Sequence, residues 1–443
     1  MKMNIHSVTA FCSSLLATAL AGCASGSSNP LAPIQAAQAK NVGNFTNTVF
    51  LGDSLTAGYQ SASLLDTAQV HGWANLVATQ AGFNVTLPLI APPGAPSVLE
   101  LVSVGPPPVI VTAPGTTTGR DNPATQPTDL AVPGAFVNDV ANTVPLANPA
   151  AGQQQITQLV LGFPGLGYGE ALSQLGFAIK AQPTTIFLWI GNNDALIADE
   201  TGMPSSMTSV ANFTTQYQAL ITQITTMTPA HLVIANIPDV TQVPYLQPAA
   251  LVLGEYSAAT GVPTAVLSGL LGISPGDYVN PTGLAEIPAI LGGTQTGPIT
   301  DSGVLSAAEV ITVQAQVTAF NQVIAAQATA ANATLVDINA LFAQVVASGL
   351  TINGYTGTAA FLGGFFALDG IHPTNTGYAV VANKFIDTMN ASINTKIPDV
   401  ALGPVAAADP FWPPNLAPHS AARALTMPAN AGKSLDNTFL SPK

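Results

Sequence analysis

Ser54 stands in Gly52-Asp53-Ser54-Leu55-Thr56-Ala57-Gly58-Tyr59, directly after the apolar, β-prone run 48–51. A serine on the turn leaving a strand is displayed at the carboxyl edge of an open α/β sheet, where such sheets carry their chemistry. If a helix follows, its first N–H groups have no intrahelical acceptor and can stabilise developing negative charge. Serine is equally an ordinary helix N-cap, so this motif alone leaves both readings open. To act as a nucleophile the hydroxyl needs a base, most often histidine. The chain has five histidines. His6 lies in the apolar N-terminal segment and His419 in a Pro- and Ala-rich tail. His231 begins a predicted strand, at the edge opposite Ser54. His71 opens a predicted helix with no carboxylate at useful spacing, which suits a surface or capping role. His372 differs, because Leu368-Asp369-Gly370-Ile371-His372-Pro373-Thr374 puts Asp369 three residues before it. Both side chains can share one side of a tight turn, and Pro373 biases His372 away from helical backbone. Asp369 can then fix the imidazole tautomer, leaving the other ring nitrogen to take the serine proton. An Asp–His pair that only caps a helix is the other reading of this segment.

These residues need a frame. The run 184–190 (TTIFLWI) is apolar at both parities, as expected of a strand covered on both faces. The runs 231–235 (HLVIA) and 334–336 (TLV) are similar, and 85–90 is expected to form a further strand. Helical spacing covers 71–81, 170–180, 210–225, 306–331 and 377–389. Strands alternating with helices predict a parallel sheet with helices on both faces. Two stretches break the rhythm: 92–127, rich in Pro, Gly and Thr, and the apolar 244–300. Both read as insertions into one domain spanning 45–392, the first as loops or a hairpin. The second is open to two readings, a lid or acyl-chain groove and a buttress on the core. The tail 393–443 is expected to be extended or partly disordered.

Only 7% of the residues are charged, against about 25% in a typical soluble chain. Net charge is −13, and between Lys40 and Lys384 the basic residues are Arg120 and Lys180 alone. No basic stripe is present to neutralise phosphates, which excludes nucleic acid as a partner and disfavours multiply charged anionic substrates. Residues 1–22 read as an export signal: Lys2 precedes an apolar run from Val8 to Ala21, too short to span a bilayer. It ends in Leu20-Ala21-Gly22-Cys23, which resembles the bacterial lipobox. That resemblance implies a lipid on Cys23, a flexible tether over 23–44, and an exported lipoprotein held at the outer membrane or cell surface. Cys12 would leave with the signal, so the mature chain would keep no thiol for a disulfide. No later apolar run is long enough for a transmembrane helix.

Taken together, the motifs resemble those of the GDSL/SGNH hydrolases, a family of esterases and lipases. Gly52-Asp53-Ser54 is similar to the first block. Leu130-Ala131-Val132-Pro133-Gly134-Ala135 is similar to the second, Gly191-Asn192-Asn193-Asp194 to the third, and Asp369 to His372 to the fifth. The resemblance runs from about Thr48 to Met389. It implies a three-layer α/β/α sandwich around a flavodoxin-like parallel sheet of about five strands. It also implies a Ser54–His372–Asp369 triad, with an oxyanion hole from the Ser54 N–H, the Gly134 N–H and the Asn193 side-chain amide. Glycine at 134 would let the backbone approach substrate closely, and asparagine supplies a donor that need not change protonation. An ester substrate is implied and no metal or organic cofactor is. Two other readings stay open: a polysaccharide O-deacetylase, and a non-catalytic surface lipoprotein that only binds. The chain is longer than the family's compact members, and its insertions blur the substrate. Gly165-Leu166-Gly167-Tyr168-Gly169 lacks nucleotide-loop spacing and reads as a loop before a helix. No His/Asp/Glu cluster has metal-ligand spacing. Asp337-Ile338-Asn339 reads as a helix cap that could also support the site edge.

Overall fold

The computed structural model describes residues 41–105, 107–162, 170–416 and 425–440. The export signal, Cys23, His419 and the Gly165–Gly169 loop lie outside the described residues. The central sheet has four parallel strands in the order β1 (Thr48–Gly52), β4 (Thr185–Trp189), β5 (His231–Ala235) and β9 (Thr334–Val336). The expected fifth position is filled only in part. Residues 128–132 run parallel beside the free edge of β1 through Phe50 N to Thr128 O, Leu130 N to Phe50 O and Val132 N to Gly52 O. With that segment counted, the order is flavodoxin-like, and chain direction across the sheet switches between β1 and β4.

The double-sided apolar strands divide by parity. Phe50, Phe187, Trp189, Val233 and Val336 face one side. There they meet Trp73 and Val77 of the helix Trp73–Ala81 and Tyr378 and Phe385 of the helix Asn375–Ser392. Val49, Leu51, Ile186, Leu188, Leu232 and Ile234 face the other side, against Phe213 and Tyr217 of the helix Val210–Met227 and Val317 and Phe320 of the helix Ala307–Ala330. This makes a three-layer sandwich. Helix starts follow from capping chemistry. Ser306 and Glu309 form a reciprocal capping box, and Thr374 accepts the N–H of Gly377. The Thr374 cap starts the last core helix two residues earlier than its hydrophobic spacing suggested.

Two expectations change, and the first insertion takes one of its two expected forms. Residues 85–90 form no strand: Pro88 offers no N–H, and Thr86 O is taken by Thr128 N and Asp129 N instead of a ladder. The first insertion is a hairpin, β2 (Leu99–Ser103) paired with β3 (Val109–Thr112). The described parts of the tail, 393–416 and 425–440, are packed, not loose. A helix Leu402–Ala408 buries Ala406, Trp412 stacks edge-on against Tyr355, and Asp409 accepts the backbone and side-chain donors of Thr376. The second insertion holds helices Ala249–Thr260, Thr264–Leu271 and Pro281–Leu291 and two strands of a small antiparallel sheet that Val304–Leu305 completes, around its own apolar cluster. Among the described residues no single helix is long and apolar enough to cross a membrane; the bent pair Ala249–Thr260 and Thr264–Leu271 passes only by combined length and composition.

Trp73 and Phe385 lie face to face with ring centroids 3.9 Å apart, and Phe50 and Phe187 stack at 4.7 Å beneath them. Removing a fully buried ring from such a stack costs about 3–5 kcal/mol. Phe385→Ala should therefore lower the urea midpoint strongly while leaving the denaturant slope unchanged.

Candidate active site

Strand β1 ends in a turn that only a few residues can make. A Cβ on Gly52 would lie 2.4 Å from Trp189 O and 2.6 Å from Thr56 Oγ1. The Gly52 backbone is also held by the Gln174 amide, which accepts from Gly52 N and donates to Gly52 O at 2.9 Å each. Asp53 then caps a single helical turn, Ser54–Ala57, by accepting the N–H of Leu55 at 3.0 Å. Asn192 Nδ2 holds the other Asp53 oxygen at 2.8 Å, tying the turn after β1 to the turn after β4.

The loop 59–62 is stitched to the loop 368–373. Ala62 N donates to Asp369 Oδ2 at 2.7 Å, Gln60 Nε2 donates to Pro373 O at 3.1 Å, and Tyr378 Oη donates to Tyr59 O at 2.6 Å. Asp369 Oδ1 accepts the N–H groups of Ile371 and His372 at 2.9 Å each, and Oδ2 faces His372 Nδ1 at 3.0 Å. That partner assigns the proton of the neutral ring to Nδ1. Nε2 is buried and has no hydrogen-bond partner among the described residues. The Tyr59 ring lies 4.6 Å from the imidazole, and Tyr59 N donates to Ser54 O at 3.1 Å. Ser54, Ile371 and Pro373 line one cleft, so His372 is brought to the same sheet edge as Ser54.

Gly134 and Asn193 arrive at this edge too. Gly134 has φ +77°, and a Cβ there would meet Gln153 Oε1 at 2.4 Å, so the position takes no side chain. Asn193, on the cleft wall, gives one amide hydrogen to Ala135 O at 2.8 Å, and its second stays available. Asp194 Oδ2 accepts Val137 N at 2.9 Å and locks the same two loops from behind. His231 sits at the opposite edge, its Nε2 3.0 Å from Thr334 Oγ1, as expected from its place at a strand start. His71 is part-buried and does not line the cleft. Asp337 caps the helix Ile338–Ser348 through Ala340 N, while Ile338 lines the cleft, so both expectations for that segment hold. Among the described residues no group of His, Cys, Asp and Glu could hold a metal ion.

The cleft measures about 850 Å³ out to its open mouth, and its walls are almost wholly apolar: Leu341, Phe342 and Val345 on one helix, Val380 and Val381 on another, with Phe365 and Phe366 between. No residue of 244–300 contributes to this wall, so that insertion is not the groove. Sequence reasoning missed Asn192, Gln174 and Ala62, whose roles depend on partners 122 to 307 positions away. It also missed Thr438 and Phe439, which reach the site from the tail: Phe439 stacks on His372 with centroids 5.8 Å apart.

The GDSL-like lipase/acylhydrolase family model matches residues 48–385. The chain belongs to this family, whose members hydrolyse esters. Among solved structures, an acetyl-xylooligosaccharide esterase mutant from Geobacillus Stearmophilus matches at 11% identity and TM-score 0.36, covering 79% of this chain and 96% of that one. An extracellular lipase from Streptomyces rimosus matches at 15% and 0.31, covering 78% and 99%. A phospholipase A1 from Streptomyces albidoflavus matches at 12% and 0.32, covering 78% and 98%. Likenesses at these TM-scores say nothing about which ester this member of the family takes. No curated protein sequence matches the chain.

Buried carboxylates set the pH response. Burial pushes Asp53 up to about 7, against the lowering effect of Asn192, Leu55 and His372, and pushes Asp129 up to about 8. Burial acts on Asp369 in the same sense, but the charge and hydrogen bonds of His372 outweigh it and hold Asp369 below the ordinary carboxylate range. A raised acid binds its proton more tightly folded than unfolded, so its contribution is full below about pH 4 and is lost as pH rises through the folded value. A depressed acid contributes above about pH 4 and loses that contribution as pH falls through its own folded value. Thermal stability should therefore peak at about pH 4 to 5 and decline as pH rises to about 8. Asp129→Asn, which removes the ionisation of a carboxylate with one oxygen unpartnered, should flatten that decline in a calorimetric series.

Proposed function

We propose that this chain is a serine hydrolase that cleaves carboxylic esters with apolar acyl chains through an acyl-enzyme on Ser54. The observation that carries the reading is one apolar cleft lined by Ser54 together with Ile371 and Pro373, the two chain neighbours of the Asp369-anchored His372. Ser54 Oγ attacks the acyl carbon, and its proton passes to His372 Nε2. The carbonyl oxygen becomes an oxyanion held by the Ser54 N–H, the Gly134 N–H and the second amide hydrogen of Asn193. Because Asn193 is fixed to Ala135 O, next to Gly134, two of the three donors are set by one hydrogen bond. His372 returns the proton to the leaving alcohol as the tetrahedral centre collapses. Water then attacks the acyl-enzyme with His372 as base again, releasing the acid and restoring Ser54. Asp369 stays ionised, orients the ring and stabilises the imidazolium.

The wall chemistry favours acyl chains over acetyl groups. A cleft of aliphatic and phenyl side chains stabilises each buried methylene by about 0.8 kcal/mol and offers a polar sugar little to bond. Lipid on Cys23, supported by the Leu20-Ala21-Gly22-Cys23 run, would hold this cleft at a membrane surface.

Ser54→Ala should abolish p-nitrophenyl ester hydrolysis and covalent labelling by a fluorophosphonate probe, with circular dichroism unchanged; undiminished turnover refutes the nucleophile. Asp369→Asn should lower kcat by roughly 10³- to 10⁴-fold, because the wrong imidazole tautomer is favoured. Across p-nitrophenyl esters, kcat/KM should rise from acetate to octanoate, the opposite of a deacetylase profile.

A further inference from the structure

The catalytic edge has a second wall, built by a part of the chain remote from the family blocks. Residues 425–440 carry two short helices, Ala429–Lys433 and Asp436–Phe439. The Phe439 ring stacks on His372 at 29° and meets Tyr59 edge-on at 6.0 Å. Thr438, fully buried, has its hydroxyl 3.2 Å from Tyr59 Oη, and its carbonyl lies 3.3 Å from where a Cβ on Gly134 would stand. Met427 packs against Gly370 in the Asp369–His372 loop. One segment therefore touches the base, the loop that carries it and one expected oxyanion donor.

The same segment is fastened to both insertions. Thr426 bonds the Glu255 carboxylate, Gly432 packs against Pro281, and Asn430 Nδ2 donates to Ile110 O at 2.9 Å in the hairpin. The insertions thus serve as the footing of this strap. The imidazole it meets is fully covered: His372 has no solvent exposure and does not line the apolar cleft onto which Ser54 opens.

We infer that residues 425–440 form the alcohol-side wall of the site and that Phe439 is a specificity-determining residue, restricting substrates to esters of small or slender alcohols. This rests on the reading of Ser54 and His372 as nucleophile and base. The acyl chain takes the open apolar cleft. The leaving oxygen must sit against His372 Nε2 to receive its proton, and the group attached to that oxygen meets the Phe439 ring and the Thr438 backbone. Hydrolysis needs no additional reactant for this: the alcohol leaves with the proton that Ser54 gave to His372. A wall of this kind rejects by steric exclusion and not by lost bonding, so it acts on size.

The test compares methyl, butyl, benzyl and cyclohexyl butanoates by pH-stat, with acyl group and leaving-group chemistry nearly constant. Wild-type kcat/KM should fall steeply from methyl to cyclohexyl. In Phe439→Ala the cyclohexyl-to-methyl ratio should rise at least about tenfold, the scale on which pocket shape discriminates, with Phe439→Leu in between. An unchanged ratio, or one common factor at every ester, overturns the proposal. A second measurement needs no turnover: carbethoxylation by diethyl pyrocarbonate, read by peptide mass spectrometry. His372 should react slowly in the wild type and about tenfold faster in Phe439→Ala, while buried His231 at the opposite edge keeps its rate and reports any unfolding. No acceleration at His372, or one shared by His231 in both variants, also overturns it. If the wild-type chain hydrolyses no ester and Ser54 takes no probe, the functional reading falls, and the labelling alone decides whether the strap shields His372.

Discussion

Four hydrogen bonds converge on the Asp369 carboxylate, and the geometry of the proposed catalytic edge depends on them. Two come from its own turn, one from the imidazole, and one from Ala62, 307 positions earlier. A buried carboxylate without donors would be several kcal/mol out of place. With four, it becomes a fixed point to which two distant loops must return. The Ala62 bond brings the chain just after Ser54 to the chain just before His372. Charge-assisted bonds of this kind are each worth about 1.5–3 kcal/mol, enough to hold a loop against its conformational entropy.

The sheet supplies the second constraint. Each proposed donor or reactant leaves a parallel element at its carboxyl end: Ser54 after β1, Gly134 after the edge segment 128–132, and Asn193 after β4. Chain direction across the sheet switches between β1 and β4, so the turns there diverge and leave a crevice. Neutral side chains prevent the crevice from collapsing or slipping. Asn192 bridges the two turns through Asp53, and Gln174 satisfies the Gly52 N–H and shares the Gly52 carbonyl with Val132 N.

What could be read from sequence follows from range. The strands of β1, β4, β5 and β9 are legible because burial on both faces leaves unbroken apolar runs. The Asp369–His372 pair is legible because its geometry is a three-residue turn. The stretch 85–90 misled because its apolar residues do fill space beside the sheet, while Pro88 denies them a ladder, and pattern alone does not separate the two. The 244–300 insertion kept two readings because an apolar stretch without a period does not say what it covers. Its own cluster, apart from the cleft, is a property of packing. The tail misled more. Its proline and alanine content is that of a loose chain, yet Trp412, Met427, Leu435 and Phe439 are buried. Few anchors suffice when each is large and the surface they meet is already formed.

Two carboxylates flank the proposed base, and their surroundings push them in opposite directions. Burial dominates at Asp53 and raises it to about 7, since its partners, Asn192 and Leu55 N, are neutral donors and His372 acts only through space. At Asp369 burial is overcome by the adjacent imidazole and by backbone donors, and the acid stays ionised. Paired acids whose environments separate their affinities for protons mark a division of labour. Here the division is between a charge held against the imidazole and a cap that shapes the turn of the proposed nucleophile. With a value of about 7, Asp53 shares its proton with solvent near neutral pH, while the acid held ionised there is the one bonded to the imidazole.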